Sequence, residues 1–249
     1  MNEIAQKTVL ISGGAGSMGQ LVSDYISSRN DFIMTAIHDP NYDGQEYKTY
    51  KDLTNIEEDI VIEFSPASVI NKNIEKLLDS NADLIIGSSG VSAEMLSKLK
   101  KTIDRKIIVI PNFSIGAAYQ KLFAASLSEN FDSVNITEKH HGKKQDAPSG
   151  TAIDLANYLP SELISHEKNG DFYKTNKVNN KNIYSLRDDI FLAEQEVDFE
   201  NEYESFNLDH KVNDRRAYLY GVKVVLDLYD DLQGFSLGLE NLIAKKINI

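Results

Sequence analysis

The first 112 residues alternate between short apolar runs and segments with helical periodicity, and this alternation constrains the fold more than any other feature of the sequence. The apolar runs are rich in β-branched residues and are bounded by Gly, Pro, Asn or Asp, as buried strands are. The predicted strands span residues 8–12, 32–37, 59–64, 83–87 and 106–110, and the predicted helices span residues 18–28, 69–80 and 93–102. Repeated strand–helix units predict a doubly wound parallel sheet, covered by helices on both faces.

The pattern changes after residue 112. The predicted elements are a helix at 115–128, a strand at 133–138, a helix from about 151, strands at 183–187, 191–199 and 204–210, and a last helix at 216–230. No long helix separates the last three strands, which indicates an antiparallel or mixed sheet in an α+β arrangement. The polar stretch 167–182 is predicted to be a mobile loop, and the residues after 230 an irregular tail.

A glycine-rich turn joins the first predicted strand to the first predicted helix. Its sequence is GGAGSMG, and glycine there allows a tight turn and close approach of backbone N–H groups to a pyrophosphate. A strand–helix turn can use glycine without binding a ligand, but this context favours a dinucleotide. No Gly-Lys-Ser/Thr follows, which excludes a P-loop. The residues assigned to cofactor binding in this turn are Gly13, Gly14, Ala15, Gly16, Ser17 and Met18.

An acidic residue follows the second predicted strand. Asp39 lies twenty residues after Gly19, where a carboxylate accepts hydrogen bonds from the hydroxyls of an adenosine ribose. The same carboxylate repels a 2′-phosphate, and no arginine is adjacent to it. We therefore predict NADH rather than NADPH as the cofactor.

A cationic segment, EKHHGKKQDAPSGTA, starts at Glu138. Three lysines and two histidines fall within six of its residues. Histidine exchanges protons near neutral pH, and lysines supply fixed charge for an anionic substrate. Ser149 is placed to cap a helix, whose first N–H groups, at Gly150 and Thr151, can hold a carboxylate. A catalytic loop and a solvated basic loop are equally compatible with this spacing.

Composition excludes several classes of protein. The formal net charge of -12 argues against binding nucleic acid by bulk charge. The sequence has no cysteine, which excludes disulfides and thiolate metal sites. No apolar run approaches the roughly 20 residues that span a bilayer, and we expect a cytoplasmic protein with no membrane partner.

The cationic segment resembles the signature of the 4-hydroxy-tetrahydrodipicolinate reductase (dihydrodipicolinate reductase) family, in which His-His is followed by Lys and by Asp-Ala-Pro-Ser-Gly-Thr. Further family-like strings occur in the same order along nearly the whole chain. They are GGAGSMG, IIGSSG, PNFSIG, SLRDD, AEQEVDF and GFSLGLENL.

The resemblance implies a Rossmann-like dinucleotide domain, at residues 1–112 and 216–249, and a substrate and oligomerisation domain with an open mixed sheet, at residues 113–215. It implies a homotetramer that uses NADH or NADPH to reduce a small cyclic dicarboxylate, the dehydrated form of 4-hydroxy-tetrahydrodipicolinate, in lysine and diaminopimelate biosynthesis. By motif position His140 is the general acid/base and Lys144 its partner proton donor, while His141, Gly150 and Thr151 bind substrate carboxylates. The nicotinamide and its ribose are flanked by Gly87, Ser88, Ser89, Pro111, Asn112 and Phe113.

Some positions depart from the family pattern. Lys139 replaces a common Ala, Ser88 and Ser89 a threonine pair, Asp188 and Asp189 a glycine pair, Ala193 a Gly, and Gln195 a His. The usual Arg- and Gly-bearing loop is not recognisable between residues 165 and 183.

An alternating row of acids runs from Glu194 to Glu204. The family comparison places a hairpin turn near Asn201, which splits the row. We therefore expect a solvated acidic edge and predict no metal site. Two alternatives to the family's activity stay open: another Rossmann reductase of a small amino or imino acid, such as aspartate dehydrogenase, and a dinucleotide-sensing regulator without catalysis.

Overall fold

A computed structural model describes residues 6–102 and 104–247. The chain divides into two compact units: the first contains the residues up to Phe113 together with Leu219–Lys246, and the second contains Ser114–Tyr218. The strands, in chain order, are β1 Lys7–Ser12, β2 Phe32–His38, β3 Lys48–Thr49, β4 Ile60–Glu63, β5 Asp83–Ile86, β6 Ile107–Val109, β7 Ser133–His140, β8 Lys174–Val178, β9 Lys181–Arg187, β10 Ala193–Glu200, β11 Ser205–Val212 and β12 Phe235–Leu237. The helices are α1 Ser17–Ser27, α2 Ile70–Leu77, α3 Ala93–Leu99, α4 Ile115–Leu127, α5 Gly150–Tyr158, α6 Leu219–Asp227 and α7 Leu239–Ile247.

The first unit contains a seven-stranded sheet in the order β12-β6-β5-β4-β1-β2-β3, and all of its strand pairs are parallel. The predicted α/β fold is therefore confirmed. The strands are apolar along their length because both faces of the sheet are covered: Leu10 and Val61 on one face, and Ile11 and Ile62 on the other, are at most 1% exposed. Strand order reverses direction on either side of β1, and ligands bind beyond the carboxyl ends of strands at such a switch point.

The tail after residue 230 is not irregular, and that prediction is wrong. Phe235–Leu237 adds the edge strand β12 beside β6, and Leu239–Ile247 forms helix α7. The preceding helix is shorter than predicted, because 3₁₀ turns occupy Arg215–Tyr218 and Tyr229–Asp231 on either side of α6. A three-residue strand is too short to show periodicity, which explains why the sequence did not reveal it.

The second unit contains a mixed sheet in the order β11-β10-β7-β9-β8, as predicted. Strands β7 and β9 are parallel, and the other pairs are antiparallel. One face of the sheet packs against α4 and α5 through a buried apolar cluster. The cluster includes Ala124, Val134, Ile136, Leu155, Ile183, Val197 and Phe199.

The predicted mobile loop at 167–182 is wrong in its greater part. Lys174–Val178 forms β8, which pairs with β9 through a turn at Asn179 and Asn180, both with positive φ. The ring of Phe172 lies 4.6 Å from that of Tyr184, and the N–H of Lys168 donates to the Tyr184 hydroxyl at 2.9 Å. Polar composition concealed an ordered segment, because its contacts are made by single side chains rather than by an apolar face.

The predicted hairpin near Asn201 is confirmed, since β10 and β11 pair antiparallel with a turn at 201–204. The predicted solvated acidic edge is wrong, because β10 lies between β11 and β7. Glu194 is buried and its carboxylate lies 2.5 Å from Lys211, while Glu196 pairs with Lys139. Lysines on the neighbouring strands thus balance the acids within the sheet.

Candidate active site

The glycine-rich turn follows β1 and leads into α1, and steric contacts require its glycines. Gly13 has φ +80°, and a Cβ there would lie 2.8 Å from the carbonyl carbon of Phe64. A Cβ at Gly19 would lie 2.3 Å from the carbonyl oxygen of Gly13. The helix N-cap is Gly16, which supplies no side-chain cap, and the first turn contains no acid. The helix end at Ser17 and Met18 therefore suits an anion such as a pyrophosphate.

Asp39 follows β2 and faces this turn. Its carboxylate accepts hydrogen bonds from the N–H of Ala15 at 3.0 Å and from the N–H of Asn41 at 2.8 Å. The carboxylate thus supports the backbone of the turn, a contact that the sequence did not indicate.

A cavity of about 410 Å³ opens beside Gly14 and Ala15, between α1 and the loop that follows β2. Its lining includes the carboxyl groups of Asp24, Asp43 and Glu46 and, in the part of the chain that the structure describes, no lysine or arginine. A phosphate group placed in this cavity would meet negative charge without a counter-ion.

The other predicted cofactor residues follow β5 and β6 at the same sheet edge. Ser89 and Pro111 are exposed there, with Asn112 partly exposed. By contrast, the Ser88 hydroxyl donates to the carbonyl of Ser65 at 2.7 Å, and the Phe113 ring is buried 6.0 Å from that of Phe64. Gly87 permits this packing, because a Cβ would lie 2.3 Å from the Phe64 ring. Ser88 and Phe113 therefore shape the edge from inside the unit.

Sequence reasoning did not single out Glu63, whose side chain is fully buried at the carboxyl end of β4. It accepts hydrogen bonds from the N–H of Ser65 at 2.6 Å and from the amide of Asn73 at 3.2 Å. The sequence did contain a signal for this residue, because an acid at the end of an apolar run is placed to be buried and hydrogen-bonded. Glu63 holds the loop to which Ser88 is bonded.

In the second unit, His140 ends β7 and is bonded to a buried carboxylate. Its Nδ1 lies 2.5 Å from Oε2 of Glu138, which is fully buried. Arg187, at the end of β9, donates to Oε2 of Glu138 at 3.1 Å and to Oε1 at 2.9 Å. Burial alone would raise the pKa of Glu138, but hydrogen bonds from His140 and Arg187 outweigh it and lower that pKa to about 2.

Lys144 lies beyond the turn that begins at His141, in which the N–H of Lys144 donates to the His141 carbonyl at 3.0 Å. Its ammonium contacts both carboxylate oxygens of Asp146, at 2.8 and 2.7 Å. Burial favours the neutral acid, yet the bond from Lys144 prevails and lowers the pKa of Asp146. Arg187 also donates to the carbonyls of Lys144 at 3.2 Å and Asp146 at 2.6 Å. Glu138 and Asp146 belong to the cationic segment and Arg187 to the SLRDD string, but the sequence analysis assigned no role to any of the three.

The predicted substrate residues Gly150 and Thr151 begin α5. Ser149 is the N-cap, as predicted, and its hydroxyl accepts a hydrogen bond from the N–H of Ala152 at 3.2 Å. A Cβ at Gly150 would meet no atom within 4 Å, so the helix end faces open space. The preceding loop is held by Asp189, whose carboxylate accepts from the N–H of Gly142 at 3.1 Å. Asp189, which stands where the family commonly has a glycine, thus supports the loop that carries His141.

Within residues 6–102 and 104–247, no helix is long and apolar enough to cross a membrane. The same residues contain no group of three or more His, Cys, Asp or Glu side chains placed to hold a metal ion.

Two family models match the chain and together cover nearly all of it. The model described as dihydrodipicolinate reductase, N-terminus, matches residues 7–113, and the one described as dihydrodipicolinate reductase, C-terminus, matches residues 115–243. The 4-hydroxy-tetrahydrodipicolinate reductase of Streptococcus pneumoniae (strain Hungary19A-6) is 30% identical over 257 residues, which cover 94% of this chain and 98% of the relative. That of Dictyoglomus turgidum is 28% identical over 265 residues, 96% of this chain and 98% of the relative.

Solved structures show the same similarity. The dipicolinate-bound dihydrodipicolinate reductase from Paenisporosarcina sp. TG-14 superposes with a TM-score of 0.77 at 25% identity, over 95% of this chain and 99% of that one. Aspartate dehydrogenase from Thermotoga maritima superposes with a TM-score of 0.57 at 13% identity, over 90% of this chain and 97% of that one. The second likeness shows a shared fold only.

Proposed function

The chain belongs to the dihydrodipicolinate reductase family and is an NAD(P)H-dependent oxidoreductase, and we propose that it uses NADH to reduce the dehydrated form of 4-hydroxy-tetrahydrodipicolinate to tetrahydrodipicolinate. The observation that carries this proposal is the loop from His140 to Thr151, in which an imidazole, an ammonium and a helix N-terminus follow one another. The likeness to aspartate dehydrogenase is one of fold only and does not favour that activity for this chain.

The domain roles follow from the same premise. We assign dinucleotide binding to residues 1–112 and 216–249, and substrate binding and oligomerisation to residues 113–215. Homotetrameric assembly and a cytoplasmic location are proposed from the family resemblance. From the same resemblance, we propose that the subunits assemble through the mixed sheet of the second unit.

The substrate is a dicarboxylate, and the loop offers what two carboxylates require. His141 and the N–H groups at Gly150 and Thr151 are the proposed carboxylate ligands, and Lys144 adds a positive charge. The related enzyme from Paenisporosarcina sp. TG-14 holds dipicolinate, a dicarboxylate of similar shape. This supports the same class of ligand for the present loop.

The bound nicotinamide cofactor supplies a hydride, and the protein must supply a proton for each turnover. His140 has Nδ1 bonded to Glu138, so that Nε2 is the nitrogen that exchanges the proton. Lys144 is its partner proton donor, and its charge stabilises the negative charge that develops on the substrate ring during reduction. Closing water out of such a site strengthens both effects.

We expect NADH to be preferred over NADPH by at least about tenfold in kcat/KM, because Asp39 and the acidic cavity repel a 2′-phosphate. Steady-state kinetics with both cofactors measure the ratio. Asp43→Lys is expected to reduce the preference for NADH, because it places a cation in the cavity lining. Asp79→Lys makes the same charge change at an exposed position outside the cavity and should leave the preference for NADH unaltered. Equal or better use of NADPH by the unmodified protein would refute the preference.

Gly150→Ala is expected to raise the KM for substrate and the Kd for dipicolinate by about tenfold or more, because the new methyl group projects into the space proposed for a carboxylate. The Tm should not fall, since alanine favours a helix. Kinetics, calorimetry of dipicolinate binding and thermal unfolding measure these quantities. Asn157→Ala, at an exposed position of the same helix, is the matched control. Unchanged dipicolinate binding in Gly150→Ala would remove this residue from the site.

A further inference from the structure

We propose that Glu138 and Arg187 are positioning residues that hold His140 and Lys144 in place for proton transfer. The proposal deepens the proposed function and rests on it. It assigns roles to two buried side chains that lie behind the reacting groups.

Glu138 fixes which nitrogen of His140 is available. Its carboxylate is fully buried, and Oε2 lies 2.5 Å from Nδ1 of His140. An ionised carboxylate accepts hydrogen bonds only, so Nδ1 carries a proton and Nε2 is directed away from Glu138.

Arg187 fixes Glu138 and the loop at the same time. Its side chain is 4% exposed, and it binds both carboxylate oxygens of Glu138. Its remaining hydrogen bonds go to the carbonyls of Lys144, Asp146 and, at 2.7 Å, Leu186. One planar guanidinium therefore connects the residue behind His140 with the backbone of Lys144. A lysine ammonium cannot reproduce this fork of donors.

These contacts are anchored in two paired strands. Strands β7 and β9 are adjacent and parallel, and His140 is the register partner of Arg187. Both strands lie inside the five-stranded sheet, between β10 and β8. Small displacements of a catalytic group reduce turnover steeply, so a pair anchored in two paired strands is suited to positioning.

The experiment compares Glu138→Gln and Arg187→Ala with the unmodified enzyme. We expect kcat to fall about 100-fold while the KM for substrate changes by less than about threefold, because the lost contacts lie behind the proton-transfer groups and not against the substrate. Guanidinium at millimolar concentration should restore about tenfold or more of the kcat of Arg187→Ala by filling the vacated site. If Glu138 and Arg187 contributed only to stability, their replacement would lower the Tm without this fall in kcat at a nearly constant KM.

The matched control is Glu196→Gln, which removes a carboxylate of β10 that is paired with Lys139 of β7, and this variant should keep the full kcat. Where a single variant does not fold because it leaves a buried charge unpaired, the double variant Glu138→Gln/Arg187→Gln removes both charges and should show the same loss of kcat. A folded single or double variant that keeps more than about a third of kcat would overturn the proposal. No turnover by the unmodified enzyme and by Glu196→Gln would instead contradict the proposed function.

Discussion

Replacing His140 with glutamine, or Lys144 with alanine, should lower kcat by about 10²- to 10⁴-fold, the usual contribution of a positioned acid or base. Glutamine keeps a polar side chain beside Glu138 but exchanges no proton near neutral pH. Alanine removes the ammonium and its contact with Asp146. The affinity for NADH should be unchanged, because the proposed cofactor residues belong to the other unit. Single-turnover kinetics and NADH fluorescence measure the two effects separately.

Matched controls make the same chemical changes elsewhere. His166→Gln alters a histidine outside the proposed site, and Lys223→Ala breaks a lysine–aspartate pair on the surface of α6. Both should keep wild-type kcat. Near wild-type turnover in His140→Gln and in Lys144→Ala would show that neither side chain is required for proton transfer.

Gly19→Ala should weaken NADH binding by about tenfold or more and destabilise the protein by about 1–3 kcal/mol, the typical cost of overpacking. The added Cβ would lie 2.3 Å from the carbonyl oxygen of Gly13 and 2.7 Å from the Cα of Gly14. Both are backbone atoms of the turn, so the clash can be relieved only by moving the turn away from α1. That displacement separates the N–H groups proposed to hold the pyrophosphate.

Fluorescence titration with NADH and urea unfolding measure these two losses. Asn30→Ala, at an exposed position just beyond the other end of α1, is the control and should change neither quantity by more than a small amount. Unchanged NADH affinity in a folded Gly19→Ala variant would separate the glycine-rich turn from cofactor binding.

The features that the sequence predicted well are those that depend on neighbours along the chain. The glycines of the first turn are required by contacts within a few residues and with the adjacent strand. The apolar runs that alternate with helical segments correspond to the buried strands of the sheet. Ser149 was predicted to cap a helix, and this prediction is confirmed, because its hydroxyl accepts a hydrogen bond from the N–H of Ala152 in the first turn of α5. Local sterics and local hydrogen bonding therefore made these parts predictable.

The features that were missed depend on distant pairing. Arg187 meets Glu138 across 49 residues only because β7 and β9 pair in one register. The acids of β10 are neutralised by Lys139 and Lys211 from the strands on either side, which the alternating pattern of a single strand does not reveal. The net charge describes the whole surface, whereas the pairing of the strands determines which acidic and basic side chains form ion pairs.

The inward orientation of Ser88 and Phe113 was also outside the reach of sequence reasoning. The Ser88 hydroxyl is bonded to the Ser65 carbonyl, and the Phe113 ring packs against Phe64 over Gly87. A motif gives residue identity and order but not the direction of each side chain. The side chains of these two residues therefore pack inside the unit, behind the surface of this sheet edge.

The most direct measurement is NADH oxidation by the purified protein when dihydrodipicolinate synthase generates the substrate in the same reaction. We expect oxidation that requires the synthase, forms one tetrahydrodipicolinate for each NADH consumed, and is lost in the His140→Gln/Lys144→Ala double variant. Oxidation only with oxaloacetate and ammonia would instead identify an amino-acid dehydrogenase. NADH binding without any oxidation would identify a sensor, and either result would contradict the proposed reductase activity.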